Sequence, residues 1–428
     1  MITAPRPRGP RSLADRADAA EVARRGVLAA VEDGTVRRVT LLVPDPHARF
    51  VAVEVSARYF AQTVLADGYG VCTYVFAWSP ARQAVVAPVF APYTSTYGDL
   101  RIRPDLATTF PDGDDGLFVV CDAEAALAPR TVLRRQLEAA EAMGLVPSAG
   151  LEHEVTFTTP DGTPLVAAGL DYAVGGLDPL RPLLSAVRST VDDLGVESLR
   201  GECHPGQYES VLEHRDALAA CDDAMLQQLL IRRVAAAQGV RAGYLAAESP
   251  GAGSSCHVHL SLADEHGPRF PELLEHFVAG VLRAASDLTP FWAPTWNSYV
   301  RLRTADFSPR MVRWGTDDRT AAVRTAGTGP STRAEVRFAG ADAQPHLVVA
   351  AVLAAGLWGI RERLTPPEPA ELPATPWQAR QALADSTLAR TLLGDEVVDA
   401  QLAHLDEELT AVLETVTDHQ RHRGDLRM

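Results

Sequence analysis

The chain has 428 residues, 46% of them hydrophobic and 22% charged, with a formal net charge of −15. That composition suits one large globular unit or two unequal ones and excludes a disordered chain. The acidic balance argues against a nucleic-acid partner, and no apolar run approaches the ~18 residues that would argue for a membrane span.

The first eleven residues, Met1 to Arg11, are rich in proline and arginine with no apolar core behind them. They read as a loose tail and not as a secretory signal. No lysine occurs, so all 40 basic residues are arginines. Five cysteines (Cys72, Cys121, Cys203, Cys221, Cys256) show no paired spacing, which fits a reducing compartment and a cytoplasmic protein.

Residues 13–32 carry apolar positions at helical spacing and predict a helix. Two β-branched runs, 36–43 and 50–55, flank Asp45-Pro46-His47 and predict a hairpin. Residues 57–66 read as helical, and a short strand follows at 100–103. Residues 36–110 are therefore expected to form a small α+β unit after an N-terminal tail and helix (1–35). A larger unit is expected over 111–428. It opens with an apolar strand at 116–121 and an amphipathic helix at 129–143, closed by Gly144. Helices are expected at 217–239, 273–288 and 345–364, the last buried. A Pro-rich connector spans 365–376, and helical segments run on to about residue 419.

Four segments carry chemistry. In Gly150-Leu151-Glu152-His153-Glu154, the two glutamates share one face of a strand. Carboxylates so placed repel unless a cation lies beside them. In Gly201-Glu202-Cys203-His204-Pro205-Gly206-Gln207-Tyr208-Glu209, Glu202 and Glu209 flank a Pro-Gly turn and can face one site. In Gly253-Ser254-Ser255-Cys256-His257-Val258-His259-Leu260-Ser261, a small-residue loop feeds a strand whose two histidines share a face. Zinc with Cys203 or Cys256 is one reading. Carboxylates outnumber nitrogen and sulfur ligands, however, and hard oxygen ligands favour Mg²⁺ or Mn²⁺. The fourth segment is arginine-rich: Asn297-Ser298-Tyr299-Val300-Arg301-Leu302, Trp314 to Arg319, Arg324, and Arg333-Ala334-Glu335-Val336-Arg337. Guanidinium groups make bidentate contacts to carboxylate and phosphate, which suits a nucleoside triphosphate and an acid.

In this order, over residues 36–420, the motifs resemble those of the glutamine synthetase superfamily. The resemblance implies an α+β fold with a small N-terminal β-grasp-like domain. It also implies a large catalytic domain built on a curved antiparallel sheet. It casts Glu154, Glu202 and Glu209 as ligands of one Mg²⁺ or Mn²⁺ ion, and Glu152, His257 and Glu335 as ligands of a second. His259 and Ser261 fall where the family contacts ATP. Arg301 and Arg337 match the arginines holding the acid substrate, and Arg319 and Arg324 those facing the transferred phosphate, with Arg324 also toward ATP. A homo-oligomer of two stacked rings, a dodecamer, is implied as well.

The sequence departs from the family where ammonia is handled. The family flap reads Gly-x-Glu-x-Pro; here it is Ala305-Asp306-Phe307-Ser308-Pro309, with Phe307 at the glutamate position and Asp306 one residue off. The family's Asp-Gly-Ser-Ser stretch is replaced by Gly70-Val71-Cys72-Thr73-Tyr74. The loop glycine that recognises the amino group of glutamate is Ser255. A complete metal and phosphate set beside an altered ammonia site implies an ATP-dependent ligase. It would join glutamate, through γ-glutamyl phosphate, to an organic amine other than ammonia. Authentic glutamine synthetase and a catalytically inactive structural or regulatory homologue are the alternatives.

Overall fold

The computed structural model describes residues 12–427, so the tail expected over 1–11 lies outside the described residues. The first helix, Leu13–Glu32, begins at a Ser12 capping box with Asp15, as its spacing predicts. The hairpin follows as Arg38–Pro44 paired antiparallel to Phe50–Ser56. The helical stretch from Ala57 to Asp67 contains a wider turn over Phe60–Val64.

The boundary expected at residue 110 needs correction. The strand Gly116–Ala123 runs parallel to Arg38–Pro44 and antiparallel to Asp99–Pro104. It is buried on both faces and lies at the centre of a six-stranded sheet. Its uninterrupted apolar run is what a strand covered on both sides requires. The N-terminal unit therefore continues through Ala123, and the second begins near the helix Pro129–Glu141.

The second unit is built on a ten-stranded sheet. Its main path runs Trp314–Thr316, Val323–Ala326, Arg333–Val336, Cys256–Asp264, Val146–Thr158, Gln207–Leu212 and Val196–Gly201. All pairs along it are antiparallel except the first. Helix Pro345–Arg361 is apolar on all sides and buried nearly throughout, as such a composition demands. It packs against Phe270–Ala284 at a crossing that only glycine permits. A Cβ on Gly356 would come within 2.1 Å of the Phe277 ring, and one on Gly280 within 2.1 Å of the Ala355 carbonyl. The latter helix starts and ends earlier than its apolar spacing predicts because Pro271 sits in its first turn. The Pro-rich connector is not structureless: Ala370–Glu371 pairs with Met311–Val312. The last helix, Asp418–Asp425, extends beyond the expected end at residue 419.

A buried ionic cluster ties the first helix to both units. Arg16 pairs with Asp105, Asp216 and Asp222. Arg130 pairs with Asp105, Asp122 and Asp222, and His346 Nε2 reaches Asp222 at 2.9 Å.

Candidate active site

The register of the large sheet assembles the site. Residues opposite one another on adjacent strands share a face. Glu152 lies opposite His257, Glu154 opposite Glu209, His259 opposite Glu335, and Arg324 also opposite Glu335. Because the strand period is two, Leu151, His153 and Val155 turn to the other side, where they are buried. One sheet face thus gathers the acidic and imidazole groups from four strands.

Two cavities open on that face and share Glu152. The first, of 210 Å³, is lined by Glu154, Glu202, Glu209 and His257, by Ser255, Arg301, Arg319 and Arg337, and by the loop Ala305 to Ser308. The second, of 390 Å³, contains His259, Ser261, His214 and Arg333. Ser261 Oγ lies 2.9 Å from His214 Nε2, and Arg333 Nε is 3.2 Å from His259 Nδ1.

The carboxylates in the first cavity are crowded and outnumber its arginines. Burial, then the neighbouring Glu202, pushes Glu154 up to about 7. Burial, then Glu152, pushes Glu209 up to about 9. Burial holds His257 down, to about 4, so its imidazole is neutral and free to coordinate. Ligand atoms of Glu152, Glu209 and His257 lie within 4.8 Å of one another, and so do those of Glu152, His259 and Glu335. This donor set fits divalent cations: hard oxygens with one imidazole, carboxylates in excess of the arginines beside them, and room for an ion. Of the second expected set, His257 Nδ1 lies 3.5 Å from Glu152 and 3.8 Å from Glu335, and His259 Nε2 also reaches Glu152 at 2.9 Å.

The arginines divide by role. Arg301, on helix Trp296–Thr304, is buried and donates to the Phe338 carbonyl at 2.8 Å and to the Arg337 carbonyl at 3.2 Å. Arg337 pairs with Glu335. Arg324 is not among the residues lining either cavity. It clamps Glu335 at 2.8 Å and Asp317, so it acts on the site through that glutamate. Burial alone would raise Glu335. His257, His259, Arg337 and Arg324 outweigh that and bring it to about 2. Arg319 is exposed at the first cavity and engages no ion pair among the described residues. Ser255 donates from its backbone N (2.9 Å) and Oγ (2.7 Å) to Glu154, which fixes that carboxylate as much as it shapes the acid pocket.

Several residues escaped the sequence reading. Arg200 reaches Glu202 at 2.9 Å and Glu209 at 2.8 Å and stacks over Tyr172, whose hydroxyl it also contacts. The signal was available, since Arg200 and Glu202 are two apart in one strand segment. Gln207 Nε2 donates to Glu154 at 2.8 Å. Asp171 and Tyr172 reach the cavity from an irregular loop that carries no motif.

Phe307 faces the first cavity, is 59% exposed, and has a φ of +59°. A bulky side chain in the left-handed region is strained, by roughly 1–3 kcal/mol. Asp306 is also exposed and lines the same cavity. The stretch Gly70 to Tyr74 lies in and after a strand of the N-terminal sheet and lines neither cavity.

Comparison with known proteins matches this geometry. A family model described as the glutamine synthetase catalytic domain matches residues 126–423. The gamma-glutamylethanolamide synthetase GlnA4 of Streptomyces coelicolor is 34% identical over 438 residues, covering 94% of this chain and 95% of its own length. A glutamate–isopropylamine ligase from a Pseudomonas species is 31% identical over 415 residues, covering 86% and 90%. The crystal structure of a protein described as a novel glutamine synthase homolog superposes with a TM-score of 0.80 at 26% identity, covering 91% of this chain and 98% of that one.

Proposed function

We propose, from the premise that this chain belongs to the glutamine synthetase family, that it is an ATP-dependent ligase joining glutamate to an organic amine other than ammonia. The observation that carries the reading is Phe307. The position where the family places its ammonium-deprotonating glutamate holds an aromatic ring over a cavity whose acidic set is otherwise complete. An apolar wall favours an amine with a carbon body over NH₄⁺, which needs carboxylates around it. Relatives whose names specify ethanolamide and isopropylamine products support the same substrate class.

In this reading a γ-carboxylate oxygen of glutamate attacks the γ-phosphorus of ATP, and ADP leaves. The amine nitrogen then attacks the acyl carbon of γ-glutamyl phosphate, phosphate leaves, and the nitrogen loses a proton. Glu152, Glu154, Glu202, Glu209, His257, His259 and Glu335 would hold Mg²⁺ or Mn²⁺. Bound there, the cations neutralise charge on the transferring phosphoryl group. Arg301 and Arg337 hold the acid. Arg319 faces the phosphoryl oxygens, and Arg324 keeps Glu335 ionised and in place. His259, Ser261 and Arg333 line the cleft for the nucleotide.

The order of the N-terminal sheet, with its two central strands parallel, supports a β-grasp-like domain. Exposed Tyr172, Val174 and Phe307 around the cavity support a neighbouring subunit covering it. Residues 70–74, which line neither cavity of their own chain, would then face the next subunit's site, in a ring oligomer of two stacked rings, a dodecamer. All five cysteines are free, which supports a cytoplasmic location; no helix among the described residues is long and apolar enough to cross a membrane.

The test is phosphate release with ATP, glutamate and Mg²⁺ or Mn²⁺ across ammonium and a panel of primary amines, with products identified by mass spectrometry. Turnover with an organic amine and little with ammonium is expected. Ammonium as the best substrate would overturn the reading.

A further inference from the structure

A third cavity, of 260 Å³, shares no lining residue with either cavity of the candidate active site. Three parts of the chain enclose it. The hairpin turn Pro46 to Arg49 closes one side, and helix Asp395–Leu413 closes another with Glu407 and Glu408. The catalytic unit supplies Gln228, Tyr244, Thr295 and Asp342. No step of the proposed reaction uses any of them.

One side of the wall carries three carboxyls, Asp342, Glu407 and Glu408, none of them in an ion pair among the described residues. Asp342 Oδ2 accepts hydrogen bonds from Thr295 Oγ1 (2.6 Å) and Ser298 Oγ (2.7 Å), while its Oδ1 is buried with no hydrogen-bond partner. Glu408 accepts only the Trp296 backbone N–H, at 3.0 Å, and Glu407 engages no ion pair among the described residues. Burial pushes all three carboxyls above their ordinary range, and the charge of the next one adds to it for Glu407 and Glu408. Arg49 pairs with Asp45 at 2.8 Å, and the Arg232 guanidinium stacks 4.6 Å over the Tyr244 ring, with no ion pair to the three carboxyls among the described residues. His404 is held neutral, at about 3, by burial and the nearby His47.

A second observation points to a ligand. Gln228 is 1% exposed and Tyr244 is 6% exposed, yet neither the amide of Gln228 nor the hydroxyl of Tyr244 has a partner. Buried polar atoms left open are costly, so a site that keeps them is one that something polar fills. The remaining wall is apolar, from Pro46, Ala48, Pro80 and Pro294. Acid on one side, amide and phenol on another, and aliphatic surface between them match a small organic cation.

We propose that this cavity is a second binding site, for a primary alkylammonium or alkanolammonium ion. Its ammonium would lie among Asp342, Glu407 and Glu408, and its body against Tyr244 and Gln228. The site goes beyond the ligase reading and does not depend on it. Its occupant touches the structure that positions the acid substrate, because Asp342 caps, through Thr295 and Ser298, the helix that carries Arg301. The amine class in the cavity would therefore be sensed at the glutamate side of the active site.

The test is equilibrium dialysis of radiolabelled ethanolamine against the full-length protein without ATP or glutamate, for wild type, Gln228→Leu and Glu408→Gln. Each change keeps the size of the side chain, and Glu408→Gln keeps an acceptor for the Trp296 N–H. Wild type is expected to bind one equivalent per subunit that both variants hold roughly tenfold or more weakly. Phosphate release at saturating amine is expected to persist in both. If either variant unfolds, Glu407→Gln takes its place, since that side chain is half-buried and carries no fold contact through its charge. Binding unchanged in the variants overturns the site. So does a crystal structure grown with ethanolamine that shows only ordered water there. Complete displacement by potassium chloride would make it an inorganic-cation site and overturn the organic assignment. Absent phosphate release with binding intact would instead sink the ligase reading and leave this site standing.

Discussion

Replacing Arg130 by methionine tests whether the buried ionic cluster holds the two units together. Arg130 is 1% exposed and pairs with Asp105 at 2.7 Å and Asp222 at 2.9 Å, which are 7% and 3% exposed. Methionine fills much of the volume but leaves those carboxylates with less counter-charge. Breaking a buried pair from one side costs about 3–5 kcal/mol. Arg16 still reaches both carboxylates, which puts the loss at the low end, roughly 3 kcal/mol, or about 5 °C in melting temperature. The effect has a pH signature. Burial raises Asp105, but Arg16 and Arg130 outweigh it and hold it at about 2, below the unfolded value of roughly 3.9. A depressed acid stabilises the fold above the unfolded pKa and loses that contribution as pH falls through the folded one. The gap between wild type and Arg130→Met should therefore be widest above about pH 4 and narrow toward pH 2. Differential scanning calorimetry from pH 2 to pH 8 measures it. Arg134→Met is the control, since Arg134 contacts Asp105 and Asp122 but its side chain is 27% exposed, and it should cost under about 1 kcal/mol. A loss below 1 °C in Arg130→Met, or an equal loss in the control, refutes the reasoning.

Phe307→Glu should lower the KM for ammonium only about two- to fivefold, because a carboxylate at this exposed position gains roughly 0.5–1 kcal/mol from a cation; steady-state phosphate release with ammonium checks it. Phe307→Gly should raise the melting temperature by relieving the left-handed strain, while raising the KM for the preferred organic amine. Glu335→Gln should cut phosphate release roughly a hundredfold or more by weakening the cation cluster and the grip of Arg324 and Arg337; activity within tenfold of wild type would remove Glu335 from the site. Millimolar Mn²⁺ should raise the melting temperature by several degrees over chelated protein, since a ligand at a hundred times its Kd adds about 2.7 kcal/mol. Glu209→Gln should blunt that rise.

The ligand strands were legible because alternation alone puts Glu152 with Glu154 and His257 with His259, and the sheet then pairs them across strands. A helix end was legible where apolar spacing met a glycine stop, as at Gly144. The unit boundary was not. The apolar run at 116–123 looks alike whether it opens the second domain or crosses the first, and only its pairing with Arg38–Pro44 decides. Nor was the position of Arg324 legible. Sequence places it among arginines that could all reach a phosphate. Its place opposite Glu335 turns it instead into a clamp on a carboxylate. Asp171 and Tyr172 were invisible for a third reason: loop residues have no periodicity to read, and their place at the cavity depends on tertiary contacts.

These differences follow the division of labour in the site. Most groups that would meet the triphosphate and its cations stand on strands whose register is set by the buried far face, so a one-residue slip would also expose Leu151 and Val155. That part cannot drift without costing the fold. Groups that would meet the amine, Asp171, Tyr172, Asp306 and Phe307, stand on loops with exposed side chains, and no core packing dictates them. A scaffold built this way can change its amine while keeping its phosphoryl chemistry. Phe307, at φ +59°, has a backbone shape that suits a smaller residue, and its side chain lines the cavity on such a loop.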